Sequence, residues 1–169
     1  MIYSFSNSGF RDPETGVYNR TYFMEVFHRE WYRHLRDHQS LALLYLCPHI
    51  HETVNQPHLL EFFAKQVQEA LLRNTDLLGR MNHQLFALGL FNVDKMGAKK
   101  VIERINEKIN KFSEEYNKFH HLQLDYRLAA CICQPNRELK PETLFIDVET
   151  LTHQLEQQDN TLSSVREIH

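Results

Sequence analysis

Three groups of side chains in this sequence are of types that do chemistry. Cys47 and His49 alternate just past an apolar run over residues 41–46, so they share one face if that run is a strand. Thiolate and imidazole suit zinc, and a hairpin turn at Asn82-His83-Gln84 would bring His83 near the same strand end. The spacing of Cys47, His49 and His83 fits no standard zinc motif, however, and no metal or other cofactor is expected. The second group is Arg73-Asn74-Thr75-Asp76. Alone, an Arg-x-x-Asp is a weak signal, since an exposed ion pair of this kind contributes under about 1 kcal/mol. The third is the segment Asn82-His83-Gln84-Leu85-Phe86, a polar trio set between apolar runs with no carboxylate in it.

The elements that must hold these groups follow from hydrophobic periodicity. Phe23, Phe27 (with Val26), Trp31 and Leu35 recur at helical spacing from the turn cluster Asp12-Pro13-Glu14-Thr15-Gly16 to about His38. Residues 41–46 are too short a run for a typical helix and end before Pro48, which predicts a buried strand. Leu59, Leu60, Phe63, Val67, Ala70 and Leu71 keep one helical face, with Glu61, Lys65 and Gln68 opposite. Residues 77–81 and 85–91 flank the polar trio as two strands of a hairpin. A long helix carries Ala98, Val101, Ile102, Ile105, Ile109, Phe112 and Tyr116, a strand returns over residues 122–133, and a last helix runs from Pro141 to about Gln157. The order is therefore strand, helix, strand, strand, helix, strand. That predicts an α+β fold with a ferredoxin-like βαββαβ core, a central antiparallel sheet with helices over a face, an N-terminal helix and a C-terminal helix. Residues 1–11 read as a flexible lead, 12–158 as one domain and 159–169 as a loosely held tail.

Composition narrows the function classes. The 169 residues carry a formal charge of −3 and a pI near 6.4, with Lys and Arg scattered, so a nucleic-acid polymer is not an expected partner. No apolar run approaches the roughly 20 residues that cross a bilayer, and the polar start is no secretory signal; a cytoplasmic protein without membrane insertion is expected. Cys47, Cys131 and Cys133 make no even framework and are expected as free thiols.

Asp12-x-x-Thr15-Gly16-x-x-Asn19-Arg20-x-x-Phe23, ahead of a helix and an apolar strand, resembles the opening D-x-L-T-G-L-x-N-R-R-x-F of GGDEF domains. In the same register, Arg80-Met81 and Phe86 bracket the signature turn, and Ile102-Glu103-Arg104-Ile105 is similar to the family's A-E-R-I segment. The resemblance spans nearly the whole chain. It implies a nucleotide-cyclase-like fold, which in active members joins two GTP molecules into cyclic di-GMP across facing domains.

At the signature this chain departs from the family. Asn82 and His83 replace the two glycines that let backbone approach the GTP phosphates, Gln84 and Leu85 replace the two acids, and Cys47 and His49 stand at the D-x-D of the strand end. Divalent magnesium wants hard oxygen ligands, so the expectation is a degenerate domain that is not an enzyme. The segment after the strand is also shorter than in the family: Asn55 matches its asparagine, but the aspartate that grips guanine has no counterpart. The Arg-x-x-Asp stands at the family's distance ahead of the turn for the inhibitory site, whose arginine and aspartate bind guanines of a cyclic di-GMP dimer, and Arg104 matches the second arginine of that site. The chemistry is direct, because a guanidinium fork matches O6 and N7 of guanine and a carboxylate accepts from its N1 and N2 hydrogens. The resemblance thus implies a cyclic di-GMP receptor or regulatory module using Arg73, Asp76 and Arg104. The alternative is a ligand-free module for homodimerisation or for docking onto a partner signalling protein.

Overall fold

The computed structural model describes residues 9–50, 58–120, 124–158 and 161–168. Helix α1 (Arg20–Asp37) starts where the Asn19 side-chain oxygen accepts the Tyr22 backbone N–H at 2.9 Å, an N-cap that satisfies one of the orphan donors of the first turn. It ends at His38 in the left-handed region (φ 54°). The chain then enters β1 (Leu41–His49), α2 (Leu59–Ala70), β2 (Leu77–Asn82), β3 (Leu85–Phe91), α3 (Lys95–His120), β4 (Asp125–Cys133), α4 (Pro141–Glu156) and β5 (Ser163–Ile168).

The sheet order is β2-β3-β1-β4-β5. Strand β1 lies at the centre, antiparallel to β3 from Leu41 opposite Phe91 to Leu46 opposite Phe86. It is also antiparallel to β4, from Leu41 opposite Cys133 to His49 opposite Asp125. This is the expected βαββαβ core, with the turn after Asn82 beside the end of β1. Residues 41–46 are apolar throughout because both of their faces are covered. Ala42, Leu44 and Leu46 pack into one core with Phe63 and Val67 of α2 and Ile102 and Ile105 of α3. Leu41, Leu43 and Tyr45 pack into the other with Phe23, Phe27 and Trp31 of α1 and Leu144 and Val148 of α4. Helices α2 and α3 thus cover one face, and the expected N-terminal and C-terminal helices, α1 and α4, cover the other. Close approach on that side is made possible by Gly79, where a Cβ would fall 2.8 Å from the Phe23 side chain.

Three boundaries differ from the sequence expectation, each for a local reason. Strand β1 runs through Pro48 to His49. Pairing with β3 stops at Leu46, so on that side Pro48 occupies an edge, where a missing N–H costs no ladder bond. On α1, His34 is fully buried while Leu35 is half-buried. The His34 ring is held by two hydrogen bonds that the apolar pattern does not reveal: Nδ1 donates to Glu30 O (2.7 Å) and Nε2 accepts from Asn92 N (2.8 Å). The residues expected as a loose tail form β5, parallel to β4 from Leu128 beside Ser163 to Cys133 beside Ile168. Its half-exposed edge position allows Ser163, Ser164, Arg166 and Glu167, so it carries no apolar signature. The sheet is therefore antiparallel except at this edge. Of the expected lead, residues 9–11 are described, with Arg11 bridged to Tyr18; residues 1–8, and Asn55, lie outside the described residues. The three cysteines are free, as expected.

Candidate functional site

The strand register puts the candidate groups at opposite ends of the sheet. Strands β1 and β2 both run antiparallel to β3, so the loop before Leu77 lies at the Leu41 end, and Cys47, His49 and the β2–β3 turn lie at the other.

At the first end, α2 stops at Ala70 because Leu71 turns extended (φ −90°, ψ 100°), and Arg73 follows three residues beyond the helix. Asp76 closes this loop in both directions. Its carboxylate accepts the Arg73 backbone N–H at 3.1 Å, and its own N–H donates to Arg73 O at 3.0 Å. Arg104 arrives from α3 and donates from Nε to Ala70 O at 3.1 Å, satisfying a carbonyl of the last turn of α2. Arg73 is exposed and reaches Asn92 O from Nη1 at 3.4 Å, while Asp76 and Arg104 are half-buried. Burial raises the Asp76 carboxyl above its ordinary range, against the Arg73 amide and the charges of Arg73 and Arg104, which act to lower it. The three residues singled out by sequence are thus drawn together around one helix end. An open cleft of about 680 Å³ adjoins Arg73 and Asp76, bounded by Lys65 and Gln68 of α2 and by residues of the segment from Arg11 to Tyr18.

At the other end the β2–β3 turn is held by a buried arginine that sequence reading used only as a landmark. Arg80, 7% exposed, donates to Asp12 Oδ2 (3.0 Å), Asn82 O (3.2 Å) and His83 O (3.0 Å), and its Nη1 lies 3.2 Å from Glu14. Asp12 also accepts from the amide (2.9 Å) and hydroxyl (2.6 Å) of Thr15. Although burial acts to raise the Asp12 carboxyl, these donors and the Arg80 charge hold it below its ordinary range. The Asp12-x-x-Thr15 motif therefore anchors the turn through Arg80. Within the turn, Asn82 Oδ1 accepts the Gln84 amide at 2.8 Å; Asn82, His83 and Gln84 are exposed, Leu85 is half-buried and Phe86 is core.

Cys47 and His49 point to the α4 side, where Glu156 ends that helix. His49 lies between two carboxylates, with Nδ1 at 2.8 Å from Asp125 Oδ2 and Nε2 at 2.8 Å from Glu156 Oε2. Burial and the Glu156 carboxylate push the Cys47 thiol up to about 12. His83, expected as a possible companion, is not in this group; Glu156 takes that place. Sequence reading missed Glu156 and Asp125 because they lie 107 and 76 residues from His49. A divalent magnesium ion held between the β1 end and the signature turn does not fit these donors, since the turn offers amides, an imidazole and a leucine, and Cys47 offers a thiol.

Against known proteins, the profile of the family described as "Diguanylate cyclase, GGDEF domain" matches residues 10–161. Among curated proteins, none matches the chain significantly in sequence. Similar solved structures include the GGDEF domain of FimX from Pseudomonas aeruginosa, at 14% identity and TM-score 0.75, covering 94% of this chain and 99% of that one. The GGDEF domain of DgcB from Caulobacter crescentus, solved in complex with cyclic di-GMP, aligns at 9% identity and TM-score 0.79 over 94% of this chain and 96% of that one. The diguanylate cyclase SiaD from Pseudomonas aeruginosa, solved with its activator SiaC, aligns at 19% identity and TM-score 0.77 over 98% of this chain and 64% of that one. With a βαββαβ core, an Asp12 motif locked to the β2–β3 turn and a profile match over most of its length, the chain belongs to the diguanylate cyclase GGDEF domain family.

Proposed function

We propose that this GGDEF domain has lost cyclase activity and serves as a cyclic di-GMP receptor, with Arg73, Asp76 and Arg104 as the binding residues. The observation that carries the reading is their convergence at the end of α2. Asp76 feels the charges of both arginines, and toward the described residues Arg73 donates from Nη1 to Asn92 O and Arg104 from Nε to Ala70 O. A guanidinium has five N–H donors, so both forks keep the capacity to meet a guanine edge while the backbone stays in place. The half-buried Asp76 carboxylate supplies the acceptor for guanine N1 and N2 hydrogens. The loss of cyclase activity rests on donor chemistry: the catalytic positions hold Cys47, Gln84 and Leu85, which offer no carboxylate pair for two-metal phosphoryl transfer.

A single preparation tests both halves. Calorimetry with cyclic di-GMP gives saturable heat in the micromolar range, and incubation with GTP and Mg²⁺ or Mn²⁺ gives no cyclic di-GMP by chromatography. Absence of heat at high micromolar ligand removes the receptor reading and leaves the ligand-free interaction module. Product formed by clean protein removes the inactive one.

A further inference from the structure

The cluster at the end of β1 has no ligand role in the reading above, and its composition is not that of an ordinary ion pair. Cys47 Sγ, a ring nitrogen of His49 and a Glu156 carboxylate oxygen all lie within 4.8 Å of one another, and it is Nε2 of His49 that faces Glu156. They come from two elements: β1 sets Cys47 and His49 two residues apart on one face, and the last residue of α4 closes over them. We propose that Cys47, His49 and Glu156 form a transition-metal site suited to Zn²⁺, with Asp125 as a positioning residue behind His49.

Four features carry this assignment. The donor set is one sulfur, one imidazole nitrogen and one carboxylate oxygen, each an ordinary zinc ligand, and the thiol selects against magnesium and calcium. The second ring nitrogen of His49 faces Asp125 Oδ2 at 2.8 Å, the carboxylate–histidine arrangement that fixes the tautomer and aims Nε2 at a metal. Asp125 is in turn held by Arg127 Nη1 at 2.8 Å, so it remains an anion with a fixed direction. The side chains of His49 and Glu156 are each about one-third exposed (33% and 32%), which leaves an entry path and room for water as a fourth ligand.

Metal binding draws the three ligand atoms, now within 4.8 Å of one another, to tetrahedral spacing. Tetrahedral zinc with bonds near 2.0–2.3 Å holds its ligand atoms about 3.3–3.6 Å apart. The His49 Nε2 to Glu156 contact, now 2.8 Å, must open by about half an ångström, within the reach of a glutamate side chain at a helix end. On binding, the thiol proton of Cys47, and the Nε2 proton of His49 where present, pass to solvent while Nδ1–H stays on Asp125. The thiolate and the Glu156 carboxylate then neutralise the ion.

Metal-stripped full chain, titrated with Zn²⁺ against a chromogenic chelator and with Co²⁺ by absorption, tests the site. The expected result is one ion per chain and, with Co²⁺, a thiolate-to-metal charge-transfer band. Cys47→Ser abolishes the band and weakens Zn²⁺ by about 100-fold or more, and Asp125→Asn weakens it by about 10–100-fold while keeping the band. Glu156→Gln, at a half-exposed helix end, supplies a second ligand variant whose fold is checked by circular dichroism. A Co²⁺ complex without the thiolate band, or Zn²⁺ affinity unchanged in both Cys47→Ser and Glu156→Gln, overturns the proposal and assigns any binding to scattered surface histidines.

Discussion

The two ends of the central sheet hold polar groups by opposite constructions. At the Leu41 end, Arg73, Asp76 and Arg104 attach to backbone: Arg104 to Ala70 O, Arg73 to Asn92 O, Asp76 to the Arg73 amide. At the His49 end, charged side chains pair with one another, Arg80 with Asp12 and Glu14 and His49 with Asp125 and Glu156, although Arg80 also holds the carbonyls of Asn82 and His83. A backbone acceptor occupies one N–H of an arginine and leaves its other donors open, the arrangement that the proposed ligand requires. Paired side chains satisfy each other, so the second end is primarily structural until a competing cation displaces protons from it.

That contrast can be broken most directly at Arg80. Its guanidinium is buried and compensates Asp12, so Arg80→Ala leaves a partly buried carboxylate unpaired and releases the carbonyls of Asn82 and His83. The expected loss is about 3 kcal/mol or more in urea unfolding. A loss under about 1 kcal/mol means that water replaces the arginine and that the network is a surface one.

At the opposite end the effect falls on ligand binding and not on stability. Arg73→Ala is expected to weaken cyclic di-GMP by roughly 5-fold to 150-fold, from about 1–3 kcal/mol per bidentate guanine contact. Arg73→Lys fails to restore it, because an ammonium cannot present the fork. Arg104→Ala weakens binding as well; Arg73→Ala keeps the wild-type unfolding free energy within about 0.5 kcal/mol, while Arg104→Ala, which releases Ala70 O, costs about 1 kcal/mol. An arginine variant that unfolds early but binds normally reverses the distinction between the two ends.

The Leu41 end also carries a pH signature through His34, which bonds Asn92, the residue that accepts from Arg73. Burial, the largest influence on it, and the Arg33 charge hold the buried His34 ring below its ordinary 6.5, against the Glu30 carbonyl, Glu30 and Asp37. The unfolded chain therefore takes up the proton first as pH falls. The contribution of neutral His34 is complete above about 6.5 and is lost as pH falls below that toward the lower folded value, by at most about 1.4 kcal/mol per pH unit. Urea unfolding at about pH 7.5 and about pH 5.5 measures this, and His34→Gln, which keeps a donor and an acceptor, flattens the wild-type difference. Equal slopes in the two proteins place the titration elsewhere.

The smallest expected change is at the N-cap. Asn19→Ala removes the acceptor for the Tyr22 amide and the donor to Gly9 O, for about 1 kcal/mol of stability. Cyclic di-GMP affinity is unchanged, since α1 makes none of the contacts assigned to the ligand.

The amino-acid sequence by itself determined the element order, because each helix and each buried strand of the core carries its own apolar period. It also determined which residues stand at the signature turn, at Cys47 and at Arg73, since these follow from register along the chain. Strand β5 escaped because an edge strand with half-buried Ser163 and Ser164 and exposed Arg166 and Glu167 shows no apolar period. His34 escaped because its burial depends on acceptors and donors from Glu30 and Asn92, and not on hydrophobicity. Only the tertiary structure decided that Arg80 joins Asp12, that Arg104 seats on the end of α2, and that Glu156 and Asp125, and not His83, surround His49. Those pairings span from 34 to 107 residues. Polar contacts at such separations have no period to read; they exist because the packed sheet fixes where strand and helix ends meet, and the charges then settle on the partners within reach.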